Sequence, residues 1–582
     1  MRYHSVPTVW RIAPEDPRVP VLQRELGCSR LVARLLTQRG YGELEAARRF
    51  LDPSYDHLPD PMLLPDALPA IRRITAALDR GELIYVHGDY DGDGITAAAL
   101  LTRLIEKLGG RSLVHVPHPR HAGYDLRHKF VEIAREAGAG LIITADCGIQ
   151  RHKEVWAARR AGIDVIITDH HEIGRELPDA VAVVDPHRRD SQYPFKDLAA
   201  VGVAYRLGEA LVSYLKLPVR KNRAAFGALA AIGTITDIMP LVGDNRVLVR
   251  AGLARLSATQ RVGLRALITR AGLGGQRAIT SHQVGFVIGP RLNAVGRIAD
   301  PRTALELLLT RDPEEAVELA AQVEEANAER REEEARILGA AEARISKLEL
   351  NEQACIVLDD ETWHPGVIGI VANRLCERHG RPTLLVATDR VSGMGRGSGR
   401  SVPRFDLHAA LHACSGLLAE FGGHAYAAGF TVSMELLDEF RRQFTRVAEE
   451  RLSPGDLQPA LNIDGALPPH EATLELMEEL SQLEPWGQAN EEPMLIALGV
   501  EVREIRAIGR EQQHLKLTIG ESGKEPAEAV YWNAGNNIGN IKKGDILDVC
   551  YRPQLNTYNG RQTVQLRIED LRPSGYASVN GY

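Results

Sequence analysis

Apolar and polar positions along this chain fall in blocks, and four of the blocks repeat one theme. Leu83-Ile84-Tyr85-Val86 runs into His87-Gly88-Asp89-Tyr90-Asp91-Gly92-Asp93-Gly94, and Leu141-Ile142-Ile143-Thr144 into Ala145-Asp146. Val165-Ile166-Ile167-Thr168 runs into Asp169-His170-His171, and Val181-Ala182-Val183-Val184 into Asp185-Pro186-His187. Short, continuous apolar runs suit strands buried on both faces. Helical patterns separate the first three, as in βαβ units, so the spacing predicts a parallel sheet. The carboxyl ends of its strands share one edge, where ligands bind. Several carboxylates and imidazoles are therefore expected in one crevice.

The same pattern divides the chain into five stretches. Residues 1–75 read as a helical cap, with apolar residues at helical spacing from Arg30 to Phe50 and a Pro-rich stretch from Leu58 to Pro69. Residues 76–310 hold the four strands, alternate strand and helix to about residue 240, and then turn mainly helical around a Gly-rich loop at Gly272-Leu273-Gly274-Gly275. Residues 311–350 hold one long helix. Asp312 is placed to cap it, Pro313 suits its first position, and Glu314 and Glu315 suit its first turn. Its pattern runs to about Lys347, roughly 50 Å at about 1.5 Å per residue. Between Asn327 and Arg336 only Ala328 and Ala335 are apolar, which predicts a helix bridging two domains through solvent. Residues 351–455 form a second α/β segment.

Residues 456–582 open with a short helical piece and then change to β patterning. The strands expected are His514–Thr518, Ala529–Trp532, Ile546–Val549 and Thr563–Ile568, with a hairpin turn at Tyr558-Asn559-Gly560. Several short strands in so little chain suggest a small barrel, and an OB-fold is one candidate.

Composition narrows the class. At 582 residues the chain is too long for one core, and 44% hydrophobic residues allow several. A net charge of -7 excludes a global polycation, so any nucleic-acid surface is local. The six Cys (Cys28, Cys147, Cys355, Cys376, Cys414, Cys550) show no CxxC spacing and are expected to be reduced thiols of a cytoplasmic protein. There is no apolar signal region and no 18-residue apolar run, so neither secretion nor a membrane partner is expected.

The expected crevice calls for metal. Two like charges about 4 Å apart repel by roughly 4 kcal/mol at an effective dielectric near 20. With Asp89, Asp91 and Asp146 gathered, either protons or divalent cations must relieve that repulsion, and the imidazoles favour cations. Carboxylate and water suit magnesium and manganese, while imidazole moves the preference toward manganese and zinc. Asp93, just before Gly94, is expected to cap the helix from about Thr96. Asp169 and Asp185 stay open between direct ligands and supports of the His residues. His187 is expected at the surface, and Cys147 as a small packed neighbour.

In this order the motifs resemble those of the DHH phosphoesterase superfamily: the run His87–Gly94, Thr144-Ala145-Asp146-Cys147-Gly148 and Thr168-Asp169-His170-His171. The second α/β segment is similar to a DHH-associated domain, through Trp363-His364-Pro365-Gly366-Val367-Ile368-Gly369, Gly397-Ser398-Gly399-Arg400-Ser401 and Phe421-Gly422-Gly423-His424. With Gly289-Pro290-Arg291-Leu292-Asn293-Ala294-Val295-Gly296-Arg297 and the β tail, the chain looks most like the single-strand-specific exonucleases of that superfamily, from about residue 30 onward.

The resemblance implies an α/β protein of two α/β domains joined by a long helix, plus a C-terminal OB-like barrel. It implies two manganese or magnesium ions held by Asp89, Asp91, Asp146, His170 and Asp237, with His87 an extra ligand and Asp146 the bridge. Asp237, in Gly233-Thr234-Ile235-Thr236-Asp237, lies outside the four strand ends, and only the resemblance points to it. Two ions about 3.5–4 Å apart can activate water and stabilise the leaving oxygen of a phosphoryl displacement. His171 would contact the scissile phosphate or assist proton transfer.

Substrate contacts are implied for Arg291, Asn293, Arg297, Ser398, Arg400 and His424, with Ser398 and Arg400 on the 5′ end. The Gly397–Ser401 run offers backbone N–H groups as well as hydroxyls and a guanidinium. The family usually carries Arg where Pro119 stands, so Arg120 is one position late. In the tail, Tyr531, Trp532, Tyr551 and Tyr558 interleave with Lys516, Lys542, Lys543, Arg552, Arg561 and Arg567, which suits single strands. Taken alone, Trp532 and Tyr551 read as core and Tyr558 as the stacking candidate.

The implied activity is hydrolysis of single-stranded DNA from the 5′ end to mononucleotides in repair and recombination. A single-strand-binding protein and a helicase are the implied partners. An oligoribonuclease or cyclic-dinucleotide phosphodiesterase of the superfamily would share only the two α/β domains. A non-catalytic replication scaffold would lack the ligands that are filled here.

Overall fold

The computed structural model describes residues 8–118, 125–347, 353–535, 540–558, 561–575 and 579–580. Near the N-terminus lie strand β1 (Val9–Ile12) and helices Val19–Leu26, Arg30–Gln38 and Leu44–Leu51. Val32, Leu36 and Phe50 of these helices are buried, and Arg246 of the neighbouring α/β domain lies 3.8 Å over the Phe50 ring. The three share a core with Leu495, Val549 and Leu566 of the C-terminal barrel.

The first sheet contains β2 (Leu83–Gly88), β3 (Arg111–His115), β4 (Ala139–Ala145), β5 (Asp164–Thr168) and β6 (Ala182–Val184), all parallel, in the order β3-β2-β4-β5-β6. The four apolar runs are thus four adjacent strands. The half-exposed edge strand β3 lacks a continuous apolar run, which is why the pattern did not single it out. Helices α1 (Gly92–Lys107) and α2 (Ala200–Tyr214) pack on the sheet, and α3 (Val219–Thr236) packs on both helices.

Capping differs from expectation. Asp91, not Asp93, caps α1: its Oδ1 accepts from the N–H groups of Asp93 at 3.1 Å and Gly94 at 3.0 Å. Asp93 is already inside the helix, and its carboxylate accepts instead from Ala200 N at 2.7 Å and Val201 N at 2.9 Å, tying down the start of α2. A π-turn (Val284–Ile288) leads into α4 (Gly289–Ile298).

The long helix, α5 (Pro313–Ile345), starts where expected, with Asp312 Oδ1 accepting from Glu314 N at 2.8 Å. Its middle is exposed on one side, at Glu329, Arg331, Glu332, Ala335 and Arg336, but not on the other. Asn327 and Glu334 are each 2% exposed. Arg330 bonds Glu334 at 2.6 Å and Asn327 at 3.0 Å, and Arg374 of the second domain reaches Glu334 at 2.7 Å. A face without apolar residues is buried because its charges are paired. Upstream, Val323 and Ala326 join the first domain's core, while Ile337, Ala341 and Ile345 join one with Val371 and Leu375.

The second domain has a mixed sheet of β7 (Ile356–Asp360), β8 (Thr383–Asp389), β9 (Met394–Arg400), β10 (Leu418–Gly423) and β11 (Ala427–Ser433), in the order β10-β11-β9-β8-β7. Helix α6 (Ile368–His379) packs against β8 and β9. The Gly397–Ser401 run is therefore not a free loop of N–H groups. Most of it is a central strand paired on both sides. Its glycines serve packing: a Cβ on Gly397 would lie 2.1 Å from the Phe430 ring.

In the tail, strands Leu495–Ile508, His514–Gly520, Ala527–Tyr531, Arg561–Pro573 and Ile546–Tyr558 pair in that order, and the first also pairs with the last, closing a barrel. Leu495–Ile508 was missed because its bulges break the alternation. The Asn559-Gly560 turn lies outside the described residues. Tyr551 is core, as expected, its hydroxyl donating to Leu467 O at 2.7 Å, whereas Trp532 is half-exposed, against expectation. Among the described residues no helix is long and apolar enough to cross a membrane.

Candidate active site

The carboxyl edge of the first sheet gathers the expected groups. Asp89 and Asp91 follow β2, Asp146 follows β4, and His170 and His171 follow β5. Asp237 arrives from elsewhere, as the C-terminal cap of α3. His170 Nε2 lies 3.2 Å from Asp146 Oδ1 and 3.6 Å from Asp237 Oδ2, and His171 Nδ1 lies 3.8 Å from Asp146 Oδ1. Among the described residues two groups of ligand atoms lie close enough for one ion: Asp146, His170 and His171, and Asp93, His170 and Asp237; Asp89, Asp91 and His87 belong to neither. Asp93 is thus a neighbour of the cluster that the helix-cap reading hid; its place in the run of alternating Asp was the available signal.

The electrostatics explain what such a cluster lacks. Burial, then the charges of Asp91, Asp93, Asp237 and Asp89, raises the Asp146 carboxyl well above the carboxylate range. Burial and Asp91 push Asp89 up to about 8. Asp237 is raised by burial and by Asp93 and Asp91. His170 is pushed down to about 3 by burial and the His171 charge, so its imidazole is neutral and able to ligate. Buried Asp89 Oδ1, Asp146 Oδ1 and His87 Nδ1 have no hydrogen-bond partner. Oxygen and imidazole donors, crowded, buried and unsatisfied, fit divalent cations.

Backbone conformation is left-handed at one of these positions and beside another. Asp146 has φ +68° and Ile238, directly after Asp237, has φ +57°. A β-branched residue in that region is an outlier of the kind that clusters at functional sites.

Neighbours fix the ring orientations. Asp169 Oδ1 accepts from His170 N at 2.8 Å, His171 N at 3.2 Å and the His171 ring at 2.7 Å, while its Oδ2 accepts from Ile149 N at 3.1 Å. Burial works against a charged His171, but the Asp169 bond and the surrounding carboxylates raise it to about 10. Asp185 is fully buried and accepts from His187 N at 2.8 Å. His187 is not a surface residue: it is half-buried, and its Nδ1 lies 2.7 Å from His170 O. His87 is fully buried against Phe130, with Nε2 3.3 Å from Asp125 O. Cys147 packs as expected, Sγ against His87 O at 3.7 Å.

A second cluster lies on the second domain. Ser398 and Arg400 project from β9 toward the start of α6, where a Cβ on Gly369 would lie 2.8 Å from Ser398 Oγ and 3.4 Å from Arg400 Nη2. Arg400 bonds Ser398 Oγ at 3.3 Å and Gly399 O at 2.8 Å. Burial lowers its guanidinium, and so does the charge of Arg297, which bonds Gly366 O at 3.1 Å. Adjacent guanidinia at a helix N-terminus favour an anion.

Other expected contacts are built into the scaffold. Asn293 Oδ1 accepts from Gly92 N at 2.7 Å, and Arg291 bonds Glu324 at 2.5 Å and Val287 O at 2.6 Å. His424, exposed, follows β10. Arg120 and the Tyr558 side chain lie outside the described residues. A cavity of about 850 Å³ adjoins the cluster, lined by Ile238, Phe286 and Asn293 on one side and Trp486, Arg552 and Arg567 of the barrel region on the other.

A parallel sheet with carboxylates and a DHH turn on its carboxyl edge, joined to a second domain that gathers Ser398, Arg400 and Arg297, defines a DHH-type phosphoesterase. Family models agree: "DHH family, N-terminal domain" matches residues 83–234, "DHHA1 domain" 352–450 and "RecJ OB domain" 463–570. The chain is 36% identical to the single-stranded-DNA-specific exonuclease RecJ of Bacillus subtilis, over 97% of this chain and 71% of that one. It is similar to the crystal structure of Thermus thermophilus RecJ with Mn2+ at a TM-score of 0.82 and 32% identity, covering 97% of this chain and 79% of that one. For the same protein with Mg2+ the TM-score is 0.77 at 30% identity, covering 97% and 78%. The chain belongs to the RecJ family.

Proposed function

We propose that this protein is a metal-dependent exonuclease that hydrolyses single-stranded DNA from its 5′ end to mononucleotides, in repair and recombination. The observation that carries this is the buried Asp146–His170–Asp237 contact, crowded by Asp89, Asp91 and Asp93 and supplied with unsatisfied oxygens. We assign Asp89, Asp91, Asp146, His170 and Asp237 to hold two manganese or magnesium ions, with His87 as a further donor. Bound there, such ions would supply an acidified water and stabilisation of the leaving oxygen.

The chain's own residues do the rest. Asp169 fixes the His171 ring through the bond to Nδ1, which leaves Nε2 of half-exposed His171 to meet a phosphate oxygen or move a proton. Asp91 spends one oxygen on the α1 cap, which locks its rotamer. Arg400, Ser398 and Arg297 take the terminal 5′-phosphate. The remaining strand leaves through the cavity between the catalytic domain and the barrel.

The protein acts in the cytoplasm, and its partners on DNA are a single-strand-binding protein and a helicase; family membership supports this. The test is an assay of end-labelled single-stranded DNA and RNA with manganese or magnesium. Mononucleotides released from the 5′ end of DNA support the reading. Failure to cut DNA, or release from the 3′ end, overturns it.

A further inference from the structure

The wall that the barrel side gives to the 850 Å³ cavity is not simply basic. Arg552 and Arg567 stand directly opposite each other in the ladder between Ile546–Tyr558 and Arg561–Pro573. Carboxylates outnumber them: Glu377, Glu491, Glu492 and Glu569 line the same space. Both guanidinia are engaged. Arg567 lies 3.1 Å from Glu492 Oε2 and 2.7 Å from Glu569 Oε1, while Arg552 lies 3.4 Å from Glu569 Oε1 and also bonds Glu492 O. The facing wall presents Ile238 and Phe286, 71% and 73% exposed.

A track built to grip a polyanion would leave its guanidinia uncompensated. Here a phosphate that pairs with Arg567 competes with the Glu492 and Glu569 carboxylates, and one that pairs with Arg552 competes with Glu569; the carboxylates return when the phosphate leaves. The exchange swaps one charge-assisted pair for another, so it is nearly balanced in energy. These side chains are 18–30% exposed, so solvent assists the swap. An enzyme that removes one nucleotide per cut must let the strand advance by one phosphate each time.

We propose that Glu492 and Glu569 are positioning residues that act through Arg552 and Arg567, weakening their hold on the single strand so that it advances after each cut. This rests on the cavity being the strand's path in the proposed function.

The test uses the full chain with Glu492→Gln, Glu569→Gln and both together. Binding of a fluorescent oligothymidylate is measured in EDTA, where no cleavage occurs, across a salt series. Each freed guanidinium should add one phosphate contact, steepening the slope of log K against log salt by about 0.7. The double variant should bind roughly tenfold tighter at low salt. With metal, it should release nucleotides more slowly from long strands at saturation. Unchanged affinity and salt slope in the double variant, or weaker binding, would overturn the proposal. If the double variant does not fold, Glu569→Gln alone decides, because Glu569 contacts both guanidinia. Wild-type protein that degrades single strands while the Gln variants bind no tighter removes only the tuning role. Wild-type protein that leaves single strands intact removes the function itself.

Discussion

At the scale of single residues, the cluster behaves as a set of carboxylates waiting for charge. Asp146 sits at its centre, strained and buried, so Asp146→Ala should abolish hydrolysis while keeping the fold. Calorimetry should show manganese binding weakened; a variant that keeps both activity and affinity would sink the assignment. The same crowding sets a pH dependence. Asp89 and Asp93 titrate at about 8 and about 7, against 3.8 for a free side chain, through burial and then the Asp91 charge. A carboxyl raised in this way favours the fold while protonated. Its contribution is complete below about pH 4 and is lost as pH rises through 7 to 8. Divalent ions replace those protons. The rise in Tm on adding manganese should therefore be larger at about pH 8.5 than at about pH 6. Equal rises would mean that Asp89 does not hold the metal. Most of this cluster was legible in the sequence, because strand ends announce themselves by a period-free apolar run followed by Asp or His. Asp237 was not, since it ends a helix whose approach to the sheet is a matter of tertiary packing. Asp93 was misread because a local rule, helix capping, competes with a long-range bond to α2.

At the scale of elements, α5 shows how pairing overrides composition. Its boundaries could be read from Asp312, Pro313 and the paired Glu residues, but the fate of its polar middle could not, since Arg374 comes from another domain. Glu334 is the shared acceptor of Arg330 and Arg374. Glu334→Ala leaves Arg330 buried without its charge partner and should cost about 3–5 kcal/mol. Replacing both Glu334 and Arg330 with Leu and Met should restore most of that stability. Urea denaturation of the single and double variants measures the difference; equal losses would show that the pair is not the source. The barrel teaches a related lesson. Four of its strands follow the alternation, while Leu495–Ile508 hides behind two bulges, and the residues 19–51 that complete the barrel core lie more than 400 positions upstream. Removing residues from 456 onward would strip that cap of its core, so a point substitution is the cleaner probe. Half-exposed Trp532 meets His514 edge-on at 4.6 Å on the barrel surface. Trp532→Ala should weaken binding of long single strands by about 1–3 kcal/mol in an anisotropy titration and leave trinucleotides unaffected. Equal loss for both lengths would make Trp532 structural.

At the scale of the whole molecule, the proposed polarity depends on how two sites on different domains are held relative to each other. Helix α5 contributes Val323 and Ala326 to one core and Ile337, Ala341 and Ile345 to the other, with the Glu334 pairs between, so it joins the domains as a rigid bar. The metal cluster stands on the first domain and the Ser398–Arg400 pocket on the second. A terminal phosphate held in that pocket would set the first phosphodiester against the cluster, and one nucleotide would leave per cut. Arg400 is the group to test, because burial and its neighbour Arg297 leave its charge in need of an anion. Arg400→Ala removes a charge-assisted contact worth about 1.5–3 kcal/mol. That is roughly a 10- to 150-fold loss in rate on 5′-phosphorylated DNA, since about 1.4 kcal/mol is tenfold. A 5′-hydroxyl strand has no terminal dianion to lose, so it should suffer much less. Rates for wild type and variant on both substrates, labelled at the 3′ end, measure the difference. Equal slowing on both would show that Arg400 does not read the end. Survival of 3′-blocked strands alongside loss of 5′-blocked ones would reverse the polarity.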